Sequence, residues 1–266
     1  MSSAPSGAGS GAPAPVVTST AKVGHVHNLA LDGERLLIGT HEGLWEQRPG
    51  AAPSLLSKPP FDVMGLAVAG TRLLASGHPD EGQDAPADLG LIASDDGGRS
   101  WQTVSLGGAV DFHRLVAVGP VVLGVSAHDG KLLRSRDAGA TWQELGRPPV
   151  FDLAVDPADA TRVVITTKDG PQLSTDGGTR FAPIPGAPLL AFLTWTPSGL
   201  VALAPDGAVH SSTDAGRTWT RRGSVGGEPG ALAADGARLV ALVGHTVVES
   251  RDGGASFAPR LVLHTE

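Results

Sequence analysis

The chain has 266 residues, a formal net charge of −7 and no cysteine, so disulfides, thiolate metal sites and cysteine nucleophiles are excluded. No basic run exceeds two residues, which leaves a nucleic-acid partner without an electrostatic footprint, and no apolar run approaches the roughly 18 residues that span a bilayer. Gly 37 and Pro 21, beside 41% hydrophobic and 18% charged residues, describe many short strands joined by many turns.

In chain order, residues 1–22 begin MSSAPSGAGSGAPAP and read as a disordered leader, with Val16–Thr20 a candidate edge strand. From Val23 onward strand patterns follow one another: HNLAL (27–31), RLLIGT (35–40) and GLWEQ (43–47), then DVMGLAV (62–68) and ASGHPD (75–80). The stretch HPDEGQDAPADLG (78–90) is longer than its counterparts and is a candidate lid or specificity loop. Further on come DFHRLVA (111–117) with Val121–Val125, and Leu153–Val155 with Arg162–Thr166.

Through this series runs S-x-D-x-G-x-x-(W/F), found at Ser94–Trp101, Ser135–Trp142, Ser174–Phe181, Ser212–Trp219 and Ser250–Phe257, with serines 38 to 41 residues apart. The Asp can accept backbone N–H bonds across a tight turn, the Gly takes a positive φ and the aromatic packs between sheets. At a period of about 40 residues, residues 23–266 hold six units of four antiparallel strands. The predicted fold is all-β, a monomeric six-bladed β-propeller whose first blade lacks the motif.

The motif resembles the Asp-box, or bacterial neuraminidase repeat, which in such propellers occupies the turn between the third and fourth strands of a blade. The resemblance implies structural roles for the five boxes. It does not bring sialidase chemistry: the chain has no Tyr to serve as the sialidase nucleophile, and no F/Y-R-I-P segment precedes the first blade. HVHNLALD, IGTHEGLW, DVMGLAVAG, ASGHP and DFHRL also resemble exported actinobacterial Asp-box proteins that carry glycosyl hydrolase or exo-sialidase labels. That resemblance implies an extracytoplasmic address, and the leader fits an exported protein or lipoprotein without its signal segment.

Aligned by inner strands, His25, Asp62 and Asp111 share one position, and His27, Met64 and His113 another. Aligned by second-strand ends, His41, His78 and His128 correspond. In a propeller both places lie at one mouth, opposite the boxes, so six of the nine histidines gather there. Blades four to six carry Phe151, Leu190 and Pro229 on the inner strand, and Lys168, Pro205 and Gly244 at the second-strand end, so the cluster is one-sided. Imidazoles with carboxylate and thioether suit a transition metal, with copper favoured by Met64 and zinc next. The candidate ligands are His25, His27, His41, His78, His113 and Met64, with Asp62 and Asp111 as acceptors that fix the ring tautomers or, in an enzyme, as general bases. The leading expectation is a metal-binding propeller. The alternatives are a metal-dependent enzyme acting on a small-molecule substrate, an acid–base enzyme without metal, and a protein-interaction propeller in which the histidines are incidental. Glu42, Asp80, Glu81 and Asp84 sit on the mouth side as candidate substrate contacts.

Overall fold

The computed structural model describes residues 16–264. Every regular element among them is a β-strand, arranged in six antiparallel sheets of four strands, one of which gains a fifth. The inner strands are Val26–Asp32, Phe61–Ala69, Phe112–Val118, Asp152–Val155, Phe192–Thr196 and Pro229–Asp235. Each packs on the next, and the sixth returns to the first, so the sheets close into a ring. This is the predicted six-bladed β-propeller.

Residue alternation explains why no single core exists. Inward and outward faces of each blade both carry apolar side chains, and six separate apolar wedges form, one between each adjacent pair of blades. The wedge between blades 1 and 2, for example, joins Leu37 and Leu44 to Phe61, Val63 and Leu73. The inner strands leave a central channel of about 250 Å³.

The repeated motif occupies the turn after the third strand, as between Leu91–Ser94 and Gln102–Ser105. Its bonds close locally. Ser135 Oγ donates to Asp137 Oδ1 at 2.7 Å and accepts the Gly139 N–H at 2.8 Å, while Asp137 accepts the Thr141 N–H at 2.9 Å. The same pattern recurs at Ser94, Ser174, Ser212 and Ser250. The glycine is required twice over. Gly139 has φ +91°, and a Cβ there would lie 2.0 Å from Leu91 Cδ2 of the preceding blade, so the turn is both left-handed and pressed against its neighbour.

Blade 6 supplies its own four strands, and Val17–Lys22 adds a fifth, parallel to Ala258–His264. Residues 1–15 of the expected leader lie outside the described residues, whereas Val17–Lys22 is an edge strand that begins one residue after the start of the candidate Val16–Thr20. Blade 1 has no box, and arginines of blade 6 add to the apolar seam between the two. Arg260 donates through Nε to Gln47 Oε1 at 2.7 Å and through Nη2 to the Glu34 and Gln47 carbonyls, both at 3.1 Å. Glu249 receives both Arg260 and Arg238, at 3.2 and 2.8 Å.

Candidate functional site

The mouth is shaped by a device that the sequence does not announce. In blades 1, 2, 3 and 6 the inner strand carries a register shift, between Val26 and Asn28, Val63 and Gly65, Phe112 and Arg114, and Pro229 and Ala231. The extra residue in each is His27, Met64, His113 and Gly230. A bulge re-aims its residue away from the regular pleat, so the second aligned position of the sequence is a bulge position, and blades 1 to 3 use it to present His, Met and His.

Second-strand ends bring the partners. Asp62 pairs across the sheet with His78, and the His41 and Ala127 N–H groups bond to the His25 and Asp111 carbonyls. His25, Asp62 and Asp111 are therefore equivalent, as are His41 and His78. His128 is not: Ala127 holds that place, and the third-blade histidine is slipped one residue into the turn.

The histidines separate into two groups. In the first, His27 Nε2 lies 3.2 Å from His41 Nδ1, His41 Nδ1 lies 2.9 Å from Asp62 Oδ2, and His27 Nε2 lies 3.2 Å from Asp62 Oδ1. These three residues bring one ligand atom each within 4.8 Å of one another. The His25 ring stands 5.0 Å from that of His27 and 5.6 Å from that of His41. Burial, followed by the neighbouring His27 and His41, holds the His25 imidazole below its ordinary range. Burial pushes the Asp62 carboxyl up, yet the neighbouring His27 and His41 imidazoles outweigh it and hold the group below the usual carboxylate range. Asp62 Oδ1 is buried and has no aligned hydrogen bond, although His27 is near.

In the second group Asp111, only 2% exposed at its side chain, receives His113 Nε2 at 2.7 Å and His78 Nε2 at 3.4 Å on the same oxygen. Its other oxygen is buried without a partner. His78 Nδ1 donates to the Ala87 carbonyl at 2.9 Å, and His128 Nε2 reaches Asp88 Oδ2 at 3.0 Å. Burial opposes protonation of His78, but the Ala87 carbonyl and the carboxylates of Asp111, Asp62 and Asp88 raise its pKa overall. The 78–90 stretch is thus tied to the ring: His78 holds Ala87, and Gln83 donates to the Pro60 carbonyl at 2.6 Å.

Of the predicted metal ligands, the structure brings His27 and His41 together with Asp62, which the sequence reading cast as an outer acceptor. It sets His25 beside them, and it gathers His78 and His113 around Asp111 one blade further on. Met64 occupies the bulge of blade 2, its carbonyl accepting the Asn28 amide at 3.0 Å. Asp88 escaped the sequence reading because it lies in a loop of acids and prolines with no counterpart in other blades. Asp152 also escaped: it follows the exposed Phe151, accepts the Leu193 N–H at 2.9 Å, and burial pushes its carboxyl up to about 6 despite Arg114.

Known proteins match this chain in shape alone. No family profile and no curated protein matches its sequence. Among solved structures, YCF48 bound to D1 peptide is similar at 18% identity and TM-score 0.58, covering 95% of this chain and 87% of that one. A nidogen/laminin complex gives 13% identity, TM-score 0.64 and coverages of 86% and 94%. The GH74 xyloglucanase from Xanthomonas campestris gives 20% identity and TM-score 0.59, with 91% of this chain matched to 46% of that one. At these identities the likeness establishes the propeller fold. No helix among the described residues is long and apolar enough to cross a membrane.

Proposed function

We propose that this chain is a metal-binding propeller in which His27, His41 and Asp62 hold a divalent transition metal, zinc or copper. One observation carries the reading: His27 Nε2 and His41 Nδ1 lie 3.2 Å apart and converge on one carboxylate, His27 at 3.2 Å from Asp62 Oδ1 and His41 at 2.9 Å from Asp62 Oδ2. Ligands at about 2.0–2.1 Å from a tetrahedral ion stand about 3.3 Å apart, close to this spacing. The poorly satisfied, buried Asp62 Oδ1 is an acceptor that a cation would complete. His25 is the nearest candidate for the fourth position, and Met64 the residue whose thioether would favour copper. The five closed Ser–Asp–Gly turns support placing the chain with Asp-box propellers, and the composition of residues 1–15 supports work outside the cytoplasm, in a monomeric protein.

A metal-dependent enzyme acting on a small molecule is the second reading. Asp111 favours it, because a buried carboxylate joined to two imidazoles is suited to moving protons.

Elemental analysis after loading with zinc or copper and dialysis tests the first reading. Wild type is expected to retain one ion per chain and the double variant His27→Ala/His41→Ala none. A wild type that holds no ion at micromolar metal would overturn it and bring the protein-interaction reading forward.

A further inference from the structure

The mouth has a second half that the metal does not use. Where blades 1 to 3 present imidazoles and carboxylates, blades 4 and 5 present Phe151, 50% exposed, and Phe192, with Leu189, also 50% exposed, on the segment leading into blade 5. Among the described residues only Val16, far along the chain, is another large hydrophobic exposed to this degree. Phe151 is not loose. Its ring meets Phe192 edge-on at 5.5 Å, the Arg114 guanidinium stands 5.8 Å from its centroid, and Arg114 Nε donates to its carbonyl at 3.0 Å. A ring fixed this firmly while half in water is a ready-made apolar contact, since little freedom is lost when a ligand covers it.

One cavity of about 870 Å³ joins the two halves, lined by His25 and His27 on one side and by Phe151, Phe192 and Arg114 on the other. That size falls within the roughly 300–1,000 Å³ of small-molecule sites. We infer that this cavity binds a small carboxylic acid bearing a large apolar group. The carboxylate faces the metal proposed at His27, His41 and Asp62, with the Arg114 cation in the same wall, and the apolar group lies on Phe151. The charge of the ligand follows from the proposed metal, since Arg114 pairs with Asp152 at 3.4 Å and Glu228 also lines the cavity, and its apolar part follows from the clamped ring. The inference rests on the metal reading only for the polar end of the ligand.

Isothermal titration of the zinc-loaded protein with 4-phenylbutyrate, acetate and methyl 4-phenylbutyrate tests it. Phenylbutyrate is expected to bind at least about tenfold more tightly than acetate, as burial of one phenyl ring allows, and more tightly than its uncharged ester. Phe151→Ser should bring phenylbutyrate to the level of acetate while metal content and the far-UV spectrum stay unchanged. Equal affinities for phenylbutyrate and acetate, or a preference that survives Phe151→Ser, would overturn the site even if zinc binds stoichiometrically. Equal binding of acid and ester would overturn the carboxylate assignment, and a Phe-terminated peptide binding far more tightly than phenylbutyrate would overturn the small-molecule one. If the protein holds no zinc, the same titrations in chelator still decide: a Phe151-dependent preference for phenylbutyrate supports the apolar half, and its loss removes it.

Discussion

The two faces of the ring use repetition in opposite ways. On the box face, five turns carry the same residues, and in each the Ser, Asp and Gly bond one another inside eight residues, while the preceding blade reaches carbonyls of the turn, as Arg35 does at Gly97 and Arg134 at Asp176 and Gly177. On the mouth face, equivalent positions carry different residues, and their bonds run from blade to blade, His41 to Asp62 and His78 to Asp111. A repeat that keeps its residues and its bonds is holding the fold. A repeat that keeps its backbone but changes its residues on one side of the ring is free to hold something else.

That contrast is broken most sharply at the metal group. If the proposed site holds zinc, His41→Ala is expected to weaken its binding by roughly 100-fold or more, since it removes one of the three proposed ligands where changes behind the ligands cost about 10–100-fold. His128→Ala, bonded to Asp88 rather than to the three-residue group, should leave affinity nearly unchanged. Competition titration with a chelating dye measures both, and equal losses would erase the separation into two groups.

The seam between blades 6 and 1 predicts the largest effect on stability. Arg260 is 7% exposed, and its removal strands Gln47 Oε1 and the Glu34 and Gln47 carbonyls, while Glu249 keeps Arg238 and Arg251. Each buried acceptor left without its donor costs about 1–3 kcal/mol, so Arg260→Ala, which strands three, should lower the urea midpoint more than any single box variant without changing metal stoichiometry. Ser135→Ala should cost less, about 1–3 kcal/mol, because it leaves the Gly139 N–H unsatisfied in a buried turn. A stable Ser135→Ala protein that lost its metal would show the boxes to be more than structural.

Acid should separate two kinds of carboxylate. Hydrogen bonds from the Thr141 side chain and backbone, and then from Ser135, hold Asp137 down to about 2, and similar bonds hold Asp176 and Asp214 down to about 2. Their contribution is fully present above about pH 4 and is lost as pH falls toward 2. Asp152 has the opposite sign. Burial lifts it from 3.8 to about 6, so between those values the folded state keeps a proton that the unfolded chain has released, and stability falls as pH rises through the window. Urea midpoints at pH 4, 5 and 6.5 should show a decline in wild type that is smaller in Asp152→Asn, and an unchanged slope would contradict the buried assignment.

Much of this was legible in the sequence. The five boxes and their period predicted six four-stranded blades, because the motif is local and its spacing is the size of a blade. Inner-strand alignment put His25, Asp62 and Asp111 in one register and His27, Met64 and His113 in another, and cross-strand pairing bears out both. What failed to show was distance around the ring. Sequence registers say which residues are equivalent but not which neighbours meet, so the single cluster they imply resolves into two, with Asp62 against both His27 and His41. His128 was misaligned by one residue because a turn of similar composition hides a one-residue slip. Asp88 had no repeat counterpart by which to be found, and the bulges at His27, Met64 and His113 carry no residue signature.

The most direct test is anomalous diffraction from a zinc-loaded crystal. A single strong peak is expected about 2.0–2.2 Å from His27 Nε2, His41 Nδ1 and an Asp62 oxygen, absent in His27→Ala/His41→Ala. No peak at the mouth, or one confined to Asp111 and His113, would contradict the proposed site.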